Sequence, residues 1–486
     1  MAHLYLSATH KSSGKTTLSI GLIRELRRRG HRVQPFKKGP DYIDPLWLTE
    51  SAGRSCLNLD YHTTPRHEIR AAFSRALSGD EFGFIEGNVG LFDSVDLEGA
   101  NSNAELAKQL GAPVLLIVDT QGMARGIAPL LLGYQAFDPG LRIAGVILNK
   151  VGGGRHASNL RKVVEHYTDI PVVVVVPRLS ELGIEERHLG LIPSNESGAV
   201  DVTIERIRAV VAEHADMVFI EALASEARLP DDDIEHASAS QIAVSHGNRS
   251  EIGPEIPAEI PAEVRPEFRT ATGPTVRIGV ARDDAFGFYY PDDLAALERA
   301  GAELIPFSPV HDPELPDVDA LFIGGGFPEC RMQELEKNAS MRASVADFIA
   351  GGGAAYAECG GLMYLADRLH WNGRSSRMCG VIASDVVMHD RPQGRGYVRL
   401  RETEHFPWPA RQPSNGEIYA HEFHHSALVE PDPSWVYAYR VLRGVGIDGR
   451  HDGIVQQNLL ASYAHLRDVG GVGWTQRFVS RIRALL

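Results

Sequence analysis

Short apolar runs alternate with longer amphipathic stretches along residues 1–221 of the chain. One amphipathic stretch carries Leu18, Leu22 and Leu26 at helical spacing and is followed by Gly30, a typical residue just past a helix end. Strands that alternate with helices in this way predict a parallel sheet covered by helices on both faces. The apolar runs that we interpret as strands are Leu4–Ser7, Val33–Phe36, Pro113–Val118, Ala144–Leu148 and Val172–Val176.

The same alternation returns in residues 274–486, after a stretch of different character. Residues 222–273 are acidic and contain prolines that interrupt helices and strands, which is typical of an extended linker. We therefore predict an α/β protein with a domain at 1–221, a linker at 222–273 and a second domain at 274–486. In the second domain the expected strands are Val276–Ala281, Asp319–Ile323 and Ala354–Ala357, with a helix at Asp293–Ala300.

Composition narrows the function classes. The formal net charge of −14 argues against nucleic acid as a partner, because no basic surplus is present to neutralise phosphates. The 4 cysteines form no CxxC pair, which favours the reduced thiols of a cytoplasmic protein. The opening MAHLYLSATH lacks the basic and long apolar regions of a signal peptide, and no apolar run approaches ~18 residues. We expect a cytoplasmic enzyme with no membrane span.

The first strand is followed by a phosphate-loop pattern, Gly14-Lys15-Thr16-Thr17. Gly14 allows the backbone to approach a phosphate, Lys15 reaches the phosphates, and the Thr16 hydroxyl is a ligand for Mg²⁺. The first glycine of the strict pattern is replaced by Thr9, but the strand before the loop and the helix after it keep the expected context. The pattern indicates an ATP site.

Polar side chains follow other predicted strands at the same edge of the sheet. Lys38, Asp41 and Asp44 lie on a Gly/Pro-containing loop after Val33–Phe36, and Glu86 ends another apolar run. Carboxylates at strand ends beside a phosphate loop are typical of Mg²⁺ binding and phosphoryl transfer, although the loop alone is also typical of a solvated turn. At the end of a further strand, Asn149 is well placed to recognise a nucleotide base.

The second domain contains a candidate nucleophile at Glu358-Cys359-Gly360-Gly361, where an apolar strand breaks sharply before a helix. A thiol on such a turn is exposed to substrate, and a helix N-terminus stabilises a thiolate. A Cys beside two glycines is also common in structural turns, but His465 further along the chain supplies the base that a Cys nucleophile needs. Backbone N–H groups of the turn at Gly325-Gly326 could stabilise an oxyanion.

A Cys–His site can release ammonia from an amide, and a phosphate-loop domain can activate a carboxylate with ATP. Joined in one chain, they predict transfer of nitrogen from an amide donor to a carboxylate acceptor, with a closed passage that keeps ammonia away from water.

Six motifs distributed along the chain then point to a known family. They are Lys38-Gly-Pro-Asp41-Tyr-Ile-Asp44, Glu86-Gly-Asn-Val-Gly-Leu, Arg187-His-Leu-Gly-Leu, Gly325-Gly-Phe-Pro-Glu329, Ala357-Glu-Cys359-Gly-Gly-Leu-Met-Tyr-Leu and Ser462-Tyr-Ala-His465. Through them the chain resembles the cobyrinic acid a,c-diamide synthase family, glutamine-dependent amidotransferases that amidate acetate side chains of corrins and related tetrapyrroles. The resemblance implies an N-terminal domain like dethiobiotin synthetase and a C-terminal class I glutaminase domain with a flavodoxin-like sheet.

The resemblance also implies roles for individual residues and ligands. Cys359 would form the glutamyl thioester with L-glutamine and His465 would be its base, while the acceptor would be a tetrapyrrole carboxylate. The oligomeric state is left open, with a homodimer as one option. The residues matched on the ATP side are Lys15 and Thr16 for ATP and Mg²⁺, Asp41 and Glu86 for Mg²⁺ and phosphoryl transfer, Asp44 for the acceptor, and Lys38 for the transferring phosphate.

Three positions depart from the family pattern. The phosphate loop reads Thr-His-Lys-Ser-Ser-Gly-Lys, Leu46-Trp47-Leu48 stands where many relatives place a histidine, and Leu466-Arg467 follows His465 where many relatives have a second histidine. Arg467 also occupies the place of the Glu found in glutaminases of the commoner triad type, which favours a Cys–His dyad. The first two leave the tetrapyrrole open between cobyrinate or hydrogenobyrinate, sirohaem and nickel-sirohydrochlorin. A MinD-like regulatory ATPase with a non-catalytic C-terminal module is the alternative from a different class.

Overall fold

In the computed structural model, the described residues are 1–77, 79–178, 184, 186–187, 190–230, 273–409 and 416–486. Most of the predicted linker, residues 231–272, lies outside them. So do His188 and Leu189 of the Arg187 motif, and the side chain of Arg187.

The N-terminal domain alternates strands with helices, as predicted. Its strands are β1 (Ala2–Ala8), β2 (Arg32–Lys38), β3 (Leu57–Leu59), β4 (Glu81–Glu86), β5 (Val114–Asp119), β6 (Ile143–Val151), β7 (Val172–Pro177), β8 (Glu186–Arg187) and β9 (Gly190–Leu191). Its helices are α1 (Lys15–Arg28), α2 (Ile43–Ala52), α3 (Arg66–Ala76), α4 (Asn103–Gln109), α5 (Ile127–Phe137), α6 (Gly154–Tyr167), α7 (Val200–His214) and α8 (Met217–Ser225).

Seven of these strands form one sheet in the order β3-β2-β4-β1-β5-β6-β7, and every neighbouring pair is parallel. Helices pack on both faces, so strands such as β1 and β5 are apolar on both sides rather than alternating. β1 lies between β4 and β5 near the middle of the sheet. The loop that follows β1 lies at the carboxyl edge of the parallel strands, where α/β proteins bind ligands. Helix α8 continues to Ser225, past the predicted domain end at residue 221.

The C-terminal domain is a second α/β unit. Its strands are β10 (Val276–Ala281), β11 (Phe286–Phe288), β12 (Ala302–Phe307), β13 (Ala320–Ile323), β14 (Gly325–Gly326), β15 (Ala354–Glu358), β16 (Arg368–Trp371), β17 (Arg374–Arg377), β18 (Val386–Met388), β19 (Gly394–Glu402), β20 (Glu417–His424), β21 (Ser426–Leu428), β22 (Val436–Arg443), β23 (His451–Gln456) and β24 (Leu459–Ser462). Its helices are α9 (Pro291–Arg299), α10 (Met332–Lys337), α11 (Ala339–Ala350), α12 (Gly360–Leu365) and α13 (Trp474–Arg483).

The central sheet of this domain has the order β12-β10-β13-β15-β24-β23-β22-β19-β20. The first five strands are parallel and follow the 2-1-3-4-5 order of flavodoxin-like folds, which confirms the expected fold class. The remaining strands extend the sheet in antiparallel fashion. This order places β15 beside β24, so the residues that follow these two strands meet at one edge.

Among the described residues, no helix is both long and apolar enough to cross a bilayer.

Candidate active site between the two domains

Cys359 lies on the tight turn between β15 and α12, as the sequence predicts. Its backbone has φ 48° and ψ −98°, a conformation that non-glycine residues rarely adopt. The Cys359 N–H donates to the carbonyl of Ser462 on β24 at 2.7 Å, which fixes the turn to the neighbouring strand. The residue is 8% exposed and lines a cavity, so its thiol is held against a space that a substrate can enter.

His465 reaches the same point from the end of β24. Its backbone N–H donates to the carbonyl of His421 at 2.8 Å, and its imidazole stacks on the His421 ring with centroids 4.9 Å apart. Burial acts to lower the pKa of His465, but hydrogen bonds with Cys359 and Glu358 outweigh it and raise that pKa to about 10. The predicted nucleophile and base are therefore brought together, and the arrangement favours an imidazolium beside the sulfur.

Sequence reasoning missed Glu358, the residue immediately before the thiol. Its Oε2 lies 3.2 Å from Nδ1 of His465, and both side chains are buried. The usual triad position two residues after the histidine holds Arg467, as the sequence shows, and its guanidinium pairs with Asp292 instead. A carboxylate at the end of a strand, next to the nucleophile, was the signal that could have found Glu358.

The glycine turn predicted as an oxyanion site lies directly beside the thiol. Gly325 and Gly326 form β14, which pairs with β11, and Gly326 lines the same cavity as Cys359. A Cβ on Gly326 would fall 2.0 Å from the carbonyl oxygen of Ala285, so the turn requires glycine there. The placement fits the predicted role of these backbone N–H groups, which stays a prediction.

The phosphate loop joins β1 to α1, with Gly14 at the helix N-terminus. Gly14 has φ 89°, and an added Cβ would lie 2.4 Å from Nδ2 of Asn149. That amide donates to the carbonyl of Ser13 at 2.8 Å, so Asn149 supports the loop from β6. The contact of Asn149 with a nucleotide base stays a prediction.

Lys15 and Thr16 occupy the first turn of α1, with Thr17 next along it. Burial and the nearby Lys37 lower the pKa of Lys15 to about 8, and its Nζ donates to the carbonyl of Val89 at 2.7 Å. The hydroxyl of Thr16 donates to Oε1 of Glu86 at 3.0 Å. The loop and the strand-end carboxylate therefore meet, as the sequence predicts.

Asp41, Asp44 and Glu86 form an acidic group on the ATP side of the site. Lys37, which sequence reasoning did not single out, lies at its centre. Its Nζ lies 2.6 Å from Glu86, 2.5 Å from Asp44 and 3.7 Å from Asp41. Burial opposes its charge, but these carboxylates raise the pKa of Lys37 well above its ordinary value. Lys38, the predicted lysine, instead has its Nζ 3.5 Å from Oδ1 of Asn88.

The two lysines differ because alternate residues of β2 face opposite sides of the sheet. Burial lowers the pKa of Lys38 to about 8, whereas Lys37 stays a cation among acids. The carboxylates respond in turn: burial and the neighbouring Asp44 raise the pKa of Asp41 to about 7. Asp44 is half-buried, which acts to raise its pKa, but Lys37 holds that pKa below the ordinary value.

Carboxylate and hydroxyl oxygens from Thr16, Asp41 and Glu86 are the ligand types that Mg²⁺ prefers. Within the described part of the chain, no group of three or more His, Cys, Asp or Glu is arranged to hold a metal ion on its own. The oxygen donors present fit Mg²⁺ only as a partial set, to which nucleotide phosphates and water would add the other ligands.

Tyr42 connects the two halves of the site. It follows Asp41 in the N-terminal domain, yet its ring stacks on Phe288 with centroids 5.4 Å apart. The same ring lies 4.7 Å from Tyr290 and 5.2 Å from His465, by centroid distance. One cavity of about 330 Å³ is lined by Asp41 and Tyr42 from one domain and by Cys359 and His465 from the other.

Further contacts hold the domains together around this cavity. Tyr397 donates to Oδ1 of Asp60 at 2.8 Å and stacks on His62, with ring centroids 4.2 Å apart. The guanidinium of Arg467 reaches the carbonyl of Asn58 at 3.4 Å. Trp47, which lies in one of the stretches that depart from the family pattern, does not line this cavity. Its side chain is 1% exposed, and its indole N–H donates to the carbonyl of Ile192.

Each of the two domains matches a known protein family. Residues 6–191 match the family model described as the CobQ/CobB/MinD/ParA nucleotide binding domain, and residues 277–467 match the CobB/CobQ-like glutamine amidotransferase domain. A cobyrinate a,c-diamide synthase of Magnetococcus marinus is 43% identical over 97% of this chain and 95% of its own length. Those of Methanothermobacter thermautotrophicus (39%, 95% of each chain) and Methanosarcina acetivorans (38%, 96% of this chain and 92% of its own) are similar.

A nucleotide-binding domain joined to a glutamine amidotransferase domain defines the class: this is a glutamine-dependent amidotransferase, a carbon–nitrogen ligase with a nucleotide-binding domain. Since the similarity to these relatives extends over nearly the whole chain, the protein belongs to the cobyrinate a,c-diamide synthase family. The resemblance seen in the sequence motifs is confirmed.

Proposed function

We propose that this protein converts acetate carboxylates of a modified tetrapyrrole, those at positions a and c, into amides with ATP and L-glutamine. The observation that carries the proposal is the shared cavity, because Cys359 and His465 line it together with Asp41 of the ATP-side acidic group. The names of the relatives support a cobyrinate-like acceptor.

In the glutaminase half, the sulfur of Cys359 attacks the side-chain amide carbon of glutamine. A C–S bond forms, the C–N bond breaks, and His465 gives its proton to the leaving nitrogen, which departs as ammonia. The backbone at Gly326 lies where it can stabilise the oxyanion that forms on the way. Water then hydrolyses the glutamyl thioester to glutamate and restores the thiol.

In the synthetase half, the acceptor carboxylate attacks the γ-phosphate of ATP and becomes an acyl phosphate, with ADP as the leaving group. Lys15, on the phosphate loop, would neutralise charge on the phosphates, and Lys38 would support the transferring phosphate. Lys37 holds the carboxylates of Asp44 and Glu86 in place. Mg²⁺, when bound through Thr16, Asp41 and Glu86, supplies further charge neutralisation of the phosphates. Ammonia then attacks the acyl carbon, phosphate leaves, and the amide remains.

A panel of acceptors tests this proposal directly. The protein is incubated with ATP, Mg²⁺ and glutamine and, separately, with cobyrinate, hydrogenobyrinate, sirohaem or nickel-sirohydrochlorin, and products are read by mass spectrometry. We expect the mass change of hydroxyl replaced by amino on cobyrinate or hydrogenobyrinate. Amidation of sirohaem alone would change the proposed substrate and leave the proposed chemistry in place.

A matched control separates this chemistry from a regulatory ATPase. The Cys359→Ser variant should lose glutamine-dependent amidation and keep amidation driven by added ammonium, because only the source of nitrogen is removed. Glutamine hydrolysis that survives in Cys359→Ser would contradict the proposed glutaminase site. ATP hydrolysis without amidation of any acceptor would favour the regulatory ATPase.

A further inference from the structure

Glu358 occupies the strand end directly before the nucleophile, and its carboxylate is buried against the imidazole of His465. We propose that Glu358 is the positioning residue of the glutaminase site and that it replaces the triad carboxylate which the chain lacks after His465. This inference rests on the proposed glutaminase half-reaction and adds a third member to its Cys–His pair.

Three donors converge on the Glu358 carboxylate. Nδ1 of His465 lies 3.2 Å from Oε2, and the backbone N–H of Leu466 donates to Oε1 at 3.1 Å. The hydroxyl of Tyr356, two residues earlier on the same strand, donates to Oε1 at 2.5 Å. The carboxylate is therefore fixed by its own strand and by the backbone next to the histidine, which leaves Oε2 for the imidazole.

This geometry determines which ring nitrogen faces the thiol. When Nδ1 carries a hydrogen that the carboxylate accepts, Nε2 is left for Cys359, as a base for the thiol and an acid for the leaving nitrogen. The carboxylate also stabilises the imidazolium that pairs with a thiolate. Both effects need an anion at Nδ1, which Glu358 supplies without moving a proton itself.

No other carboxylate contacts His465 among the described residues. The groups that face its imidazole are Cys359, Glu358, Tyr42 and His421, and the Tyr290 hydroxyl is hydrogen-bonded to Nδ1 of His421. Burial and the neighbouring His465 lower the pKa of His421 well below its ordinary value, so His421 is neutral and cannot replace an anion.

Arg467 also argues for this assignment. Its guanidinium pairs with Asp292 and lies 4.3 Å from the ring centroid of Tyr290. A cation held there cannot orient an imidazolium, because it repels the charge that Glu358 attracts. The third position of a conventional triad is therefore used for packing between the domains, and the orienting carboxylate comes from β15.

The Glu358→Gln variant tests the inference with little change in shape. Glutamine has one acceptor oxygen, so it cannot serve both His465 and the Leu466 and Tyr356 donors. If its amide nitrogen faces Nδ1, the imidazole is held in the wrong tautomer. We expect kcat for glutamine hydrolysis to fall by about 10²- to 10⁴-fold while KM for glutamine changes little.

A second readout follows the thiol itself. Alkylation of Cys359 by iodoacetamide, read by peptide mass spectrometry, should reach its half-maximal rate at least about one pH unit higher in Glu358→Gln, because the imidazolium has lost its anion. The matched control is Glu402→Gln, which breaks an ion pair with Arg477 in the same domain. It should lower thermal stability and leave the alkylation profile unchanged.

The outcomes separate the two proposals. If the wild-type protein hydrolyses glutamine, but Glu358→Gln keeps its kcat and its alkylation profile, Glu358 does not position His465. A loss of stability without these changes, as in the control, would assign Glu358 a structural role only and overturn the inference. If the wild-type protein releases no ammonia from glutamine, the proposed function fails instead.

Discussion

Backbone strain is present at Cys359, the proposed nucleophile. Cys359 has φ 48° and ψ −98°, outside the regions that residues with a Cβ normally occupy. Such a conformation costs on the order of 1–3 kcal/mol and persists where the surrounding structure enforces it, here through the pairing of β15 with β24. The benefit is a sulfur that stands at the start of α12 and faces the cavity.

This strain makes a prediction about stability. Replacing Ala with Gly ordinarily destabilises a protein by about 0.5–1 kcal/mol, because glycine loses more backbone freedom on folding. At position 359 the order should reverse, so that Cys359→Gly has a free energy of unfolding about 1 kcal/mol above that of Cys359→Ala. Urea titration of both inactive variants measures the difference. An alanine variant that is equally or more stable would show that the turn is unstrained.

Lys37 and Lys38 allow a matched comparison, since both are buried neighbours on β2. Removing Lys37 leaves three carboxylates without their cation, whereas Lys38 makes one long contact. We expect Lys37→Met to lower the free energy of unfolding by about 3 kcal/mol and Lys38→Met by less than about 1 kcal/mol.

The pH dependence of that difference has a definite sign. In the wild type, Lys37 holds the pKa of Asp44 below its ordinary 3.8, so the stability from this pair is present above that pH. It is lost as the pH falls below that value and the carboxylate is protonated. The gap between Lys37→Met and wild type should therefore shrink at acidic pH, and a gap that grows there would contradict the ion-pair account.

At the scale of elements, the loop after β2 links the two chemistries. Asp41 and Tyr42 lie just before α2 and Asp44 lies in its first turn. Asp41 and Asp44 lie on the side of the phosphate loop, whereas the Tyr42 ring faces His465. Tyr42 packs against Phe288 and Tyr290, so we expect a change in its position to alter the surroundings of the proposed glutaminase site.

Tyr42 should therefore control coupling between the half-reactions. In Tyr42→Ala, loss of the ring opens the space between the domains, and we expect several glutamates to form for each amide made. Tyr42→Phe retains the ring stacking, so it should form close to one glutamate for each amide made. Product counting by chromatography measures both ratios. A tightly coupled alanine variant would show that the ring does not separate the cavity from water.

Strand positions and the polar residues at their ends were predictable because buried parallel strands are continuous apolar runs that end at the ligand edge. This is how Cys359, Glu86 and the phosphate loop could be found from sequence. The choice between Lys37 and Lys38 depends on strand orientation, and the role of Glu358 depends on the pairing of β15 with β24. Neither is visible in residue types and spacing alone.

The whole molecule depends on contacts that close the domains over one cavity. Asp60 and His62 of the first domain meet Tyr397 of the second, and Arg467 reaches across to Asn58. Under the proposed function, ammonia released beside Cys359 would enter the same cavity that Asp41 lines. The separate activities then become one transfer reaction.

The central claim is that nitrogen moves between the domains without equilibrating with the solvent. The most direct test supplies glutamine labelled with ¹⁵N in its side-chain amide, together with excess unlabelled ammonium, and reads the isotope in the amidated tetrapyrrole. We predict that the product carries ¹⁵N and that the label is diluted in Tyr42→Ala. Product from the wild-type protein that carries the isotope ratio of the bulk ammonium would contradict the account.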